Sequence, residues 1–335
     1  LLNSVTPGLV LSATFVLGSL LHHFMSEREQ RWIKEAFSRY VSPNRVTHLV
    51  EHPDDMELGG RRQDCSFIFT DLAGFTTLME SIDPGEAVAL LNAYLDEMIA
   101  IAFRHEGTLD RIVGDAVAIM FSAPVPQADH RARALACALD MDAFASRYAA
   151  DLQAKGIRFG KTRIGIHSGE VIVGNFGGST IFDYRALGDP VNTASRLESV
   201  NKHLGTNICL SEETLAGCPA DTVVRPVGKL VLKGKSKALQ VYEPVTPERA
   251  AIYAPLADYR AAYELMAQDN AESTAETPSP ALAVFSELAE KFPDDPLPRL
   301  HRDRLRAGSH GDLIVMSEKK PDLGRSRQGR AASRM

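Results

Sequence analysis

The sequence predicts an α+β fold, because stretches with the period of a strand and stretches with the period of a helix both occur along the chain. An apolar run over residues 66–70 ends at Asp71 and a glycine turn follows, which is typical of a buried strand. Residues 83–86 read Asp-Pro-Gly-Glu, a helix start, and apolar residues then recur at helical spacing. Two apolar runs over residues 108–121 meet at Gly114-Asp115, as in a tight hairpin. With 335 residues, of which 44% are hydrophobic, the chain can form one sizeable core and smaller units.

Composition argues against some classes of function. The net charge of -6 disfavours a nucleic-acid-binding protein, because such proteins need clustered lysine and arginine, and only the C-terminal segment is strongly basic. The cysteines show neither the Cys-x-x-Cys spacing nor the Cys/His spacing of metal sites. We therefore expect free thiols, mostly buried, at positions Cys65, Cys137, Cys209 and Cys218.

Residues 1–25 predict a transmembrane helix, because no charged residue occurs before Glu27 and about 20 residues of helix span the hydrocarbon core. A signal peptide or a buried helix is the alternative, but no basic residue precedes the apolar stretch and no clear cleavage site follows it. Basic residues follow the segment, which predicts a single-pass anchor in the inner (plasma) membrane with the rest of the chain in the cytoplasm. Since the chain begins with leucine inside an apolar segment, we expect it to lack upstream sequence.

Residues 26–60 predict a helical connector. Trp32, Ile33 and Phe37 recur at helical spacing among charged residues, and Pro43 ends this pattern. Such a stripe is more typical of a packing or dimer seam than of a ligand site. Its position between the membrane segment and the first strand makes it a natural route for a signal.

Taken alone, several polar residues allow two interpretations. Asp71, at the end of the first strand, could cap the next helix or bind a cation. Asp115, at the hairpin tip, could be an ordinary turn residue or a second cation ligand. His167 lies between apolar residues in an expected strand pair over residues 163–174, so a core histidine is favoured over a catalytic one. Lys233, in an expected closing hairpin, could contact phosphate or lie in a solvated turn.

Residues 184–198 contain a helix start followed by a polar pair. We expect Asp189 to cap this helix and Pro190 to begin it. Asn192 and Arg196 are four residues apart, so they project from one face of the helix. The pair could be a solvated face, or it could stabilise a developing phosphate or oxyanion charge.

In their order and spacing, these markers resemble those of the class III nucleotide cyclases, which convert a nucleoside triphosphate into its 3′,5′-cyclic monophosphate. The resemblance covers about residues 39–245. Its markers are Phe69-Thr70-Asp71 with Gly74-Phe75, Gly114-Asp115, Asn192 with Arg196, and Leu232-Lys233-Gly234. It implies a ferredoxin-like catalytic domain over residues 61–245. Residues 39–43 and 58–60 resemble the bacterial branch in which this domain follows a membrane helix below an extracytoplasmic sensor of the CHASE2 type.

The resemblance implies that Asp71, Leu72 and Asp115 bind two Mg²⁺ or Mn²⁺ ions. Two carboxylates on adjacent strand ends are suitable ligands for two hard cations about 3.5 to 4 Å apart. By the resemblance, one ion would lower the pKa of the ribose 3′-hydroxyl and the other would hold the triphosphate. The hydroxylate would attack the α-phosphorus, and pyrophosphate would leave.

The resemblance also assigns roles to the other polar residues. Arg196 would stabilise the charge that grows on the phosphate oxygens, Asn192 would orient the ribose, and Lys233 would hold the β- and γ-phosphates. In this family one protomer supplies the metal carboxylates and the other supplies the asparagine and arginine. A symmetric homodimer with two composite sites is therefore implied.

Two positions that choose the purine are unusual. Adenylate cyclases usually carry Lys four residues before Asp115, and Asp or Thr three residues before Gly188, where this chain has Arg111 and Arg185. Arg185 has only donors and cannot accept from the adenine amine, whereas Arg111 can donate to N1, and Asp183 or a main-chain carbonyl can accept. We expect an adenylate cyclase that uses ATP. Guanylate or dual-specificity activity on GTP is the alternative, and a catalytically silent nucleotide-binding or dimerisation module is the second alternative.

Two further segments follow the catalytic domain. Residues 246–307 predict a small helical segment, with helices over about 256–266 and 281–292, that resembles one tetratricopeptide-like hairpin. Residues 308–335 predict a disordered basic tail.

Overall fold

The structure is a computed structural model, which describes residues 8–19, 22, 42–52, 57–178, 180–269 and 279–316. Helices and strands both occur throughout these ranges, so the predicted α+β class is confirmed. The chain divides into two compact units. The first contains the residues up to Asn201 together with Glu213–Thr222, and the second contains Lys202–Glu212 together with the residues from Val223 onwards.

The elements are numbered in chain order. The strands are β1 (Gly59–Leu72), β2 (Thr108–Val113), β3 (Ala116–Phe121), β4 (Thr162–Gly177), β5 (Phe182–Leu187), β6 (Ile208–Ser211), β7 (Val224–Val231), β8 (Leu239–Pro244) and β9 (Leu313–Val315). The helices are α1 (8–19), α2 (Pro43–Glu51), α3 (Phe75–Ser81), α4 (Pro84–Arg104), α5 (His130–Ala154), α6 (Asp189–Leu204), α7 (Glu212–Leu215), α8 (Pro247–Ala250), α9 (Leu256–Ala267), α10 (Pro280–Lys291) and α11 (Pro296–Arg306).

The transmembrane helix predicted over residues 1–25 is not supported. Of this stretch the structure describes residue 22 and residues 8–19, which form α1, and the other positions lie outside the described residues. None of the helices in the described ranges is both long and apolar enough to cross a membrane.

Much of the predicted connector, residues 26–41 and 53–56, lies outside the described residues. Its described part includes α2, which Pro43 begins rather than ends, since proline is tolerated in the first helical turn. Ser42 Oγ accepts a hydrogen bond from the Leu109 N–H at 2.8 Å, and Asn44 Nδ2 donates to Thr108 Oγ1 at 2.6 Å. These bonds fasten α2 to the start of β2.

In the first unit β1 lies between β3 and β4 and is antiparallel to both. The strand order there is β2-β3-β1-β4, and β5 also pairs with β4. The strand pair predicted over residues 163–174 is wrong, because β4 is one unbroken strand that pairs with the whole of β1. Gly169, which resembles a turn residue in the sequence, lies within this strand. A Cβ there would lie 2.8 Å from the ring of Pro190, so glycine is required for close packing rather than for a turn.

Helices cover both faces of this sheet. Because side chains alternate along a strand, Cys65 and Phe67 face one side, where they form a core cluster with Val191 and Ala194 of α6. Ser66 faces the other side, and its hydroxyl lies 2.7 Å from His130 Nδ1 at the start of α5. The sheet is therefore the middle layer of the first unit.

Three predictions about individual residues of the sequence are confirmed: a helix cap, a core histidine and the free cysteines. The Asp83 carboxylate caps α4 by accepting from the Gly85 and Glu86 N–H groups, at 2.9 and 3.2 Å. The predicted core position of His167 is confirmed, since the residue is 7% exposed. The cysteines are free, as expected, and the buried ones are Cys65, Cys137 and Cys209.

The second unit has the strand order β6-β8-β7-β9 and contains a buried arginine. Arg225 of β7 is 1% exposed and donates to both carboxylate oxygens of Asp295, at 2.7 and 2.8 Å. Its Nε donates to Glu243 of β8 at 2.8 Å, and its guanidinium lies 4.1 and 5.0 Å from the ring centroids of Tyr253 and Tyr259. Since Asp295 immediately precedes α11, this cluster ties the C-terminal helices to β7 and β8.

Two C-terminal elements differ from the prediction. The helix α11 lies within the helical segment predicted over residues 246–307 but is not one of the two helices predicted there, and both of its prolines lie in the first turn, where proline is tolerated. The disordered tail predicted over residues 308–335 is wrong for residues 308–316, where β9 pairs in parallel with Lys229–Val231 of β7. Residues 317–335 lie outside the described residues. The segment predicted over residues 246–307 shares one compact unit with β6 to β9.

His301 of α11 links the stability of the second unit to pH. Burial, together with the charges of Arg304 and Arg225, lowers the pKa of His301 to about 3. The folded state therefore holds this ring neutral, whereas the unfolded chain protonates it with the ordinary pKa of about 6.5. Its contribution to stability is fully present above about pH 6.5 and is lost progressively as the pH falls towards 3.

We expect the free energy of unfolding to fall by up to about 1.4 kcal/mol per pH unit below pH 6.5 on account of His301. Urea denaturation between about pH 5 and pH 8 measures this slope, and His301→Gln is expected to reduce it. The control His203→Gln, which removes an exposed imidazole, is expected to leave the slope unchanged. Equal slopes in the parent and in His301→Gln would contradict the assignment.

Candidate active site

The site begins at the end of β1. Asp71 is the second-last residue of this strand and lies directly opposite Arg163 of β4 in the antiparallel register. Arg163 Nη2 donates to Asp71 Oδ2, and the two side chains form an ion pair that is largely shielded from solvent. The helix-cap interpretation of Asp71 is wrong, since α3 begins at Phe75 and its N-cap residue is Gly74.

A second carboxylate reaches the same place from the β2–β3 hairpin. Gly114 has φ of 63°, a left-handed conformation that suits glycine, and Asp115 follows it at the tip. Asp115 Oδ2 accepts from the Leu72 N–H at 3.0 Å. Thr70 Oγ1 accepts from the Val117 N–H at 3.1 Å, which holds the hairpin beside the end of β1. The structure thus brings together two residues that are 44 positions apart in the sequence.

The two carboxylates influence each other electrostatically. Burial raises the pKa of Asp115, the Leu72 N–H lowers it, and the charge of Asp71 raises it again. Hard oxygen ligands of this kind suit Mg²⁺ or Mn²⁺, and a cation between them would relieve their repulsion. Leu72 has a buried apolar side chain, so it could contribute only its main-chain carbonyl.

The donor set also leaves room for substrate. Within the described part of the chain, no group of three or more His, Cys, Asp or Glu side chains could hold a metal ion. Water and phosphate oxygens would therefore complete the coordination, which is the usual arrangement for Mg²⁺ at phosphate-binding sites. The residues present fit the two cations that the sequence predicts.

Arg163 also meets a carboxylate of α6. Its Nε lies 3.3 Å from Glu198 Oε1, and these two buried atoms make no hydrogen bond. Glu198 Oε2 accepts from Ser199 Oγ at 2.9 Å. Burial raises the pKa of Glu198 to about 7, with Ser199 and Arg163 acting in the opposite direction. Sequence reasoning missed both residues. Arg163 is the only charged residue over 162–169, and a lone charge in an apolar strand indicates a functional or paired residue. Its partner depends on the strand register, which the sequence does not reveal.

The helix α6 approaches β4 through a glycine. A Cβ at Gly165 would lie 2.1 Å from the main-chain nitrogen of Glu198 and 2.3 Å from the carbonyl oxygen of Ala194. The Asn201 side chain donates to the carbonyl of Ile164 at 3.0 Å, close to the same contact. This packing brings the backbone of α6 close to β4 and so places Glu198 beside that strand.

Asn192 and Arg196 lie on a different side of α6 from Glu198. At about 100° per residue, Arg196 and Glu198 point about 160° apart. Their burial agrees with this, since Glu198 is buried, Arg196 is half-buried and Asn192 is exposed. Within one chain, the structure therefore does not bring Asn192 and Arg196 to Asp71.

The two arginines that occupy the purine-choosing positions, Arg111 and Arg185, each form an ion pair with a neighbouring carboxylate. Arg111 Nε donates to Asp110 Oδ2 at 2.8 Å, and Arg185 Nε donates to Asp183 Oδ2 at 2.5 Å. Asp110 lies at an irregularity in the β2–β3 register, where a strand can redirect a side chain. Burial raises the pKa of Asp110, and the charges of Arg111 and Arg185 lower it. Both arginines are thus within electrostatic reach of one carboxylate.

Lys233 belongs to the second unit, in the turn between β7 and β8, and its side chain is exposed. Its contact with the β- and γ-phosphates stays a prediction.

Comparison with known proteins agrees with these features. Residues 59–243 match the family described as the adenylate and guanylate cyclase catalytic domain, which is more than half of the chain. The chain belongs to this family. Adenylate cyclase 1 of Rhizobium meliloti is 37% identical over 217 residues, which are 64% of this chain and 32% of that protein. The adenylate cyclase of Anabaena cylindrica is 31% identical over 216 residues, 62% of this chain and 42% of that protein.

Solved cyclase structures also resemble this cyclase domain. The adenylyl cyclase CyaB from P. aeruginosa is 34% identical with a TM-score of 0.53, over 57% of this chain and 98% of that chain. The guanylyl cyclase Cya2 is 31% identical with a TM-score of 0.50, over 57% of this chain and 97% of that chain. The match thus covers less than half of each curated relative but nearly all of each solved chain. The predicted family is confirmed, and the CHASE2-type sensor stays a prediction.

Replacement of Gly165 by alanine is expected to displace α6 from the sheet of the cyclase domain. Because the added Cβ would meet main-chain atoms at 2.1 and 2.3 Å, we expect Gly165→Ala to lower the free energy of unfolding by about 1–3 kcal/mol, measured by urea denaturation. At Gly178 the nearest atom to a Cβ is 3.9 Å away, so Gly178→Ala is the matched control. Equal stability of the two variants would contradict this account of the contact.

Proposed function

We propose that this chain is the catalytic part of an adenylate cyclase, which converts ATP into 3′,5′-cyclic AMP and pyrophosphate. The observation that carries the proposal is the convergence of Asp71 and Asp115 at the end of β1, beside the guanidinium of Arg163. The similarity to two bacterial adenylate cyclases supports it. Two Mg²⁺ or Mn²⁺ ions bound at these carboxylates would activate the ribose 3′-hydroxyl and neutralise the triphosphate.

The polar residues of α6 act on the other side of the substrate. The Arg196 guanidinium stabilises the charge that develops on the α-phosphate oxygens, since a fixed cation is most effective where charge grows. The Asn192 amide holds the ribose so that its 3′-oxygen lies in line with the α-phosphorus and the leaving pyrophosphate. Lys233 binds the β- and γ-phosphates.

The geometry of α6 supports a homodimer. Asn192 and Arg196 point away from the side of α6 that packs at Arg163, so they act on a substrate whose phosphates are bound at Asp71 of a second copy. Each of two composite sites then takes its carboxylates from one copy and its α6 residues from the other. Twofold symmetry makes both sites equivalent.

Mixing two inactive variants tests both the activity and the composite site. Asp71→Ala and Arg196→Ala are each expected to abolish formation of cyclic AMP. After the two are mixed in equal amounts and allowed to exchange subunits, half of the dimers carry one intact site, so about a quarter of the parental activity is expected to return.

The matched control is a mixture of Asp71→Ala with Asp115→Ala. Both changes damage the same half of the site, so no mixed dimer has an intact centre and no activity should return. Recovery in this control would contradict the composite site. A parent chain that forms no cyclic product from ATP or GTP would favour the silent module instead.

Purine choice rests on the carboxylates that hold the two arginines. In the proposed complex Arg111 donates to adenine N1, and Asp183 accepts from the amine because an ionised carboxylate retains free acceptor sites while it binds Arg185. Guanine offers an acceptor, O6, where adenine has the amine, so the donor arginines also favour GTP as a second candidate substrate. The similarity to a guanylyl cyclase supports that candidate.

We expect Asp183→Ala to lower kcat/KM for ATP about tenfold and to affect GTP less, because only adenine presents an amine at C6, where this acceptor is placed in the proposed complex, whereas guanine presents O6 there. The matched variant Arg185→Ala removes the ion-pair partner but keeps the acceptor, so the preference for ATP should be kept. Steady-state rates with both nucleotides give the ratio. If the parent cyclises GTP faster than ATP, the adenylate assignment is wrong.

A further inference from the structure

Arg163 occupies an unusual position for a fixed cation. Its guanidinium bonds to Asp71, the carboxylate that the proposed function assigns to divalent cations, and so it neutralises part of the negative charge that a metal ion needs. A cation that binds to Asp71 must compete with this internal positive charge. Two positive charges a few ångströms apart at one carboxylate repel each other strongly in a partly buried site.

Glu198 is a second carboxylate to which the Arg163 guanidinium could bind. Arg163 Nε and Glu198 Oε1 are buried and only 3.3 Å apart, yet neither makes a hydrogen bond. A small rotation of the Arg163 side chain towards α6 would complete this pair and withdraw Nη2 from Asp71. The planar fork of arginine suits such an exchange, because it can bind one carboxylate with two parallel hydrogen bonds.

The surrounding packing supports a movement of the side chain rather than of the backbone. Asp71 and Arg163 are held opposite each other by the β1–β4 ladder, and Glu198 is held by the contact of α6 with Gly165. The two carboxylates are therefore fixed on either side of Arg163. Among these three groups, only the arginine side chain is long enough to exchange partners.

We propose that Arg163 is an internal counter-ion of Asp71 that a divalent cation displaces, and that Glu198 is the positioning residue that receives it. This inference rests on the proposed function, because it takes Asp71 as a metal ligand. The exchange makes the cation affinity of the site depend on Glu198, which does not itself bind the cation. In the absence of a cation the Arg163 guanidinium offsets the negative charge of Asp71.

Binding of Mn²⁺ to the 335-residue chain without nucleotide tests the inference, with the free ion measured by electron paramagnetic resonance. Arg163→Gln removes the competing charge and is expected to tighten Mn²⁺ binding about tenfold. Glu198→Gln removes the receiving carboxylate and is expected to weaken binding severalfold. In the double variant, Glu198→Gln should have almost no further effect, because the residue acts through Arg163.

The double variant separates this exchange from a simple effect of charge. If Glu198→Gln weakens Mn²⁺ binding by the same factor with and without Arg163, Glu198 acts directly through space and the inference is wrong. If Arg163→Gln weakens binding, the arginine supports the cation rather than competing with it, and the inference is again wrong. Should Arg163→Gln fail to fold, Arg163→Met replaces it, since an uncharged side chain that keeps much of the arginine's apolar stem also removes the competing charge and should also remove the effect of Glu198→Gln.

Two controls complete the experiment. Arg62 and Glu170 form an exposed ion pair, 2.8 Å long, on the same two strands, so Arg62→Gln and Glu170→Gln should leave Mn²⁺ binding unchanged. Asp71→Asn should abolish tight binding. If Asp71→Asn binds Mn²⁺ as the parent does, the metal site of the proposed function fails, which is a different outcome from failure of the exchange alone.

Discussion

The pairing of Asp71 with Arg163 across β1 and β4 is the contact on which the rest of the site depends. Because side chains alternate along a strand, a slip of one residue in this register would turn Asp71 to the other face of the sheet. The continuous ladder from Gly59 to Leu72 prevents such a slip, since every pair along it would have to break together. The long strand β4 is therefore a requirement of the site as well as of the core.

The same register determines where α6 lies. Two residues beyond Arg163, on the same face of β4, Gly165 leaves space for the backbone of the helix. Glycine in the middle of a strand costs about 0.5–1 kcal/mol relative to alanine, so its presence here reflects the close approach that it allows. That approach places Glu198 beside Arg163 and leaves Asn192 and Arg196 on the outward side. One packing contact thus explains both the buried charge pair and the outward position of Asn192 and Arg196.

Charge is handled differently in the two units. The Arg225 guanidinium in the second unit is fully enclosed, with three hydrogen bonds to Asp295 and Glu243 and two tyrosine rings beside it, so it joins strands and helices permanently. A buried pair of this kind is costly to break, because removing one partner leaves the other charge unpaired. Arg163, by contrast, has an incomplete set of hydrogen bonds. Arg225, whose guanidinium nitrogens are all hydrogen-bonded, is a structural residue, whereas the incompletely bonded Arg163 can change its partner.

The sequence alone determined the features that depend on neighbours along the chain. These are the caps and turns at Asp83 and Gly114, the apolar strand that carries Asp71 near its end, and the spacing of residues from which the family was predicted and then confirmed. Only the tertiary structure decided the partner of Arg163, the burial of Glu198 and the strand at 313–315, because each depends on pairing between distant segments. The residues next to a position in the sequence determine its secondary-structure preference, but strand register and packing determine which charged side chain it contacts.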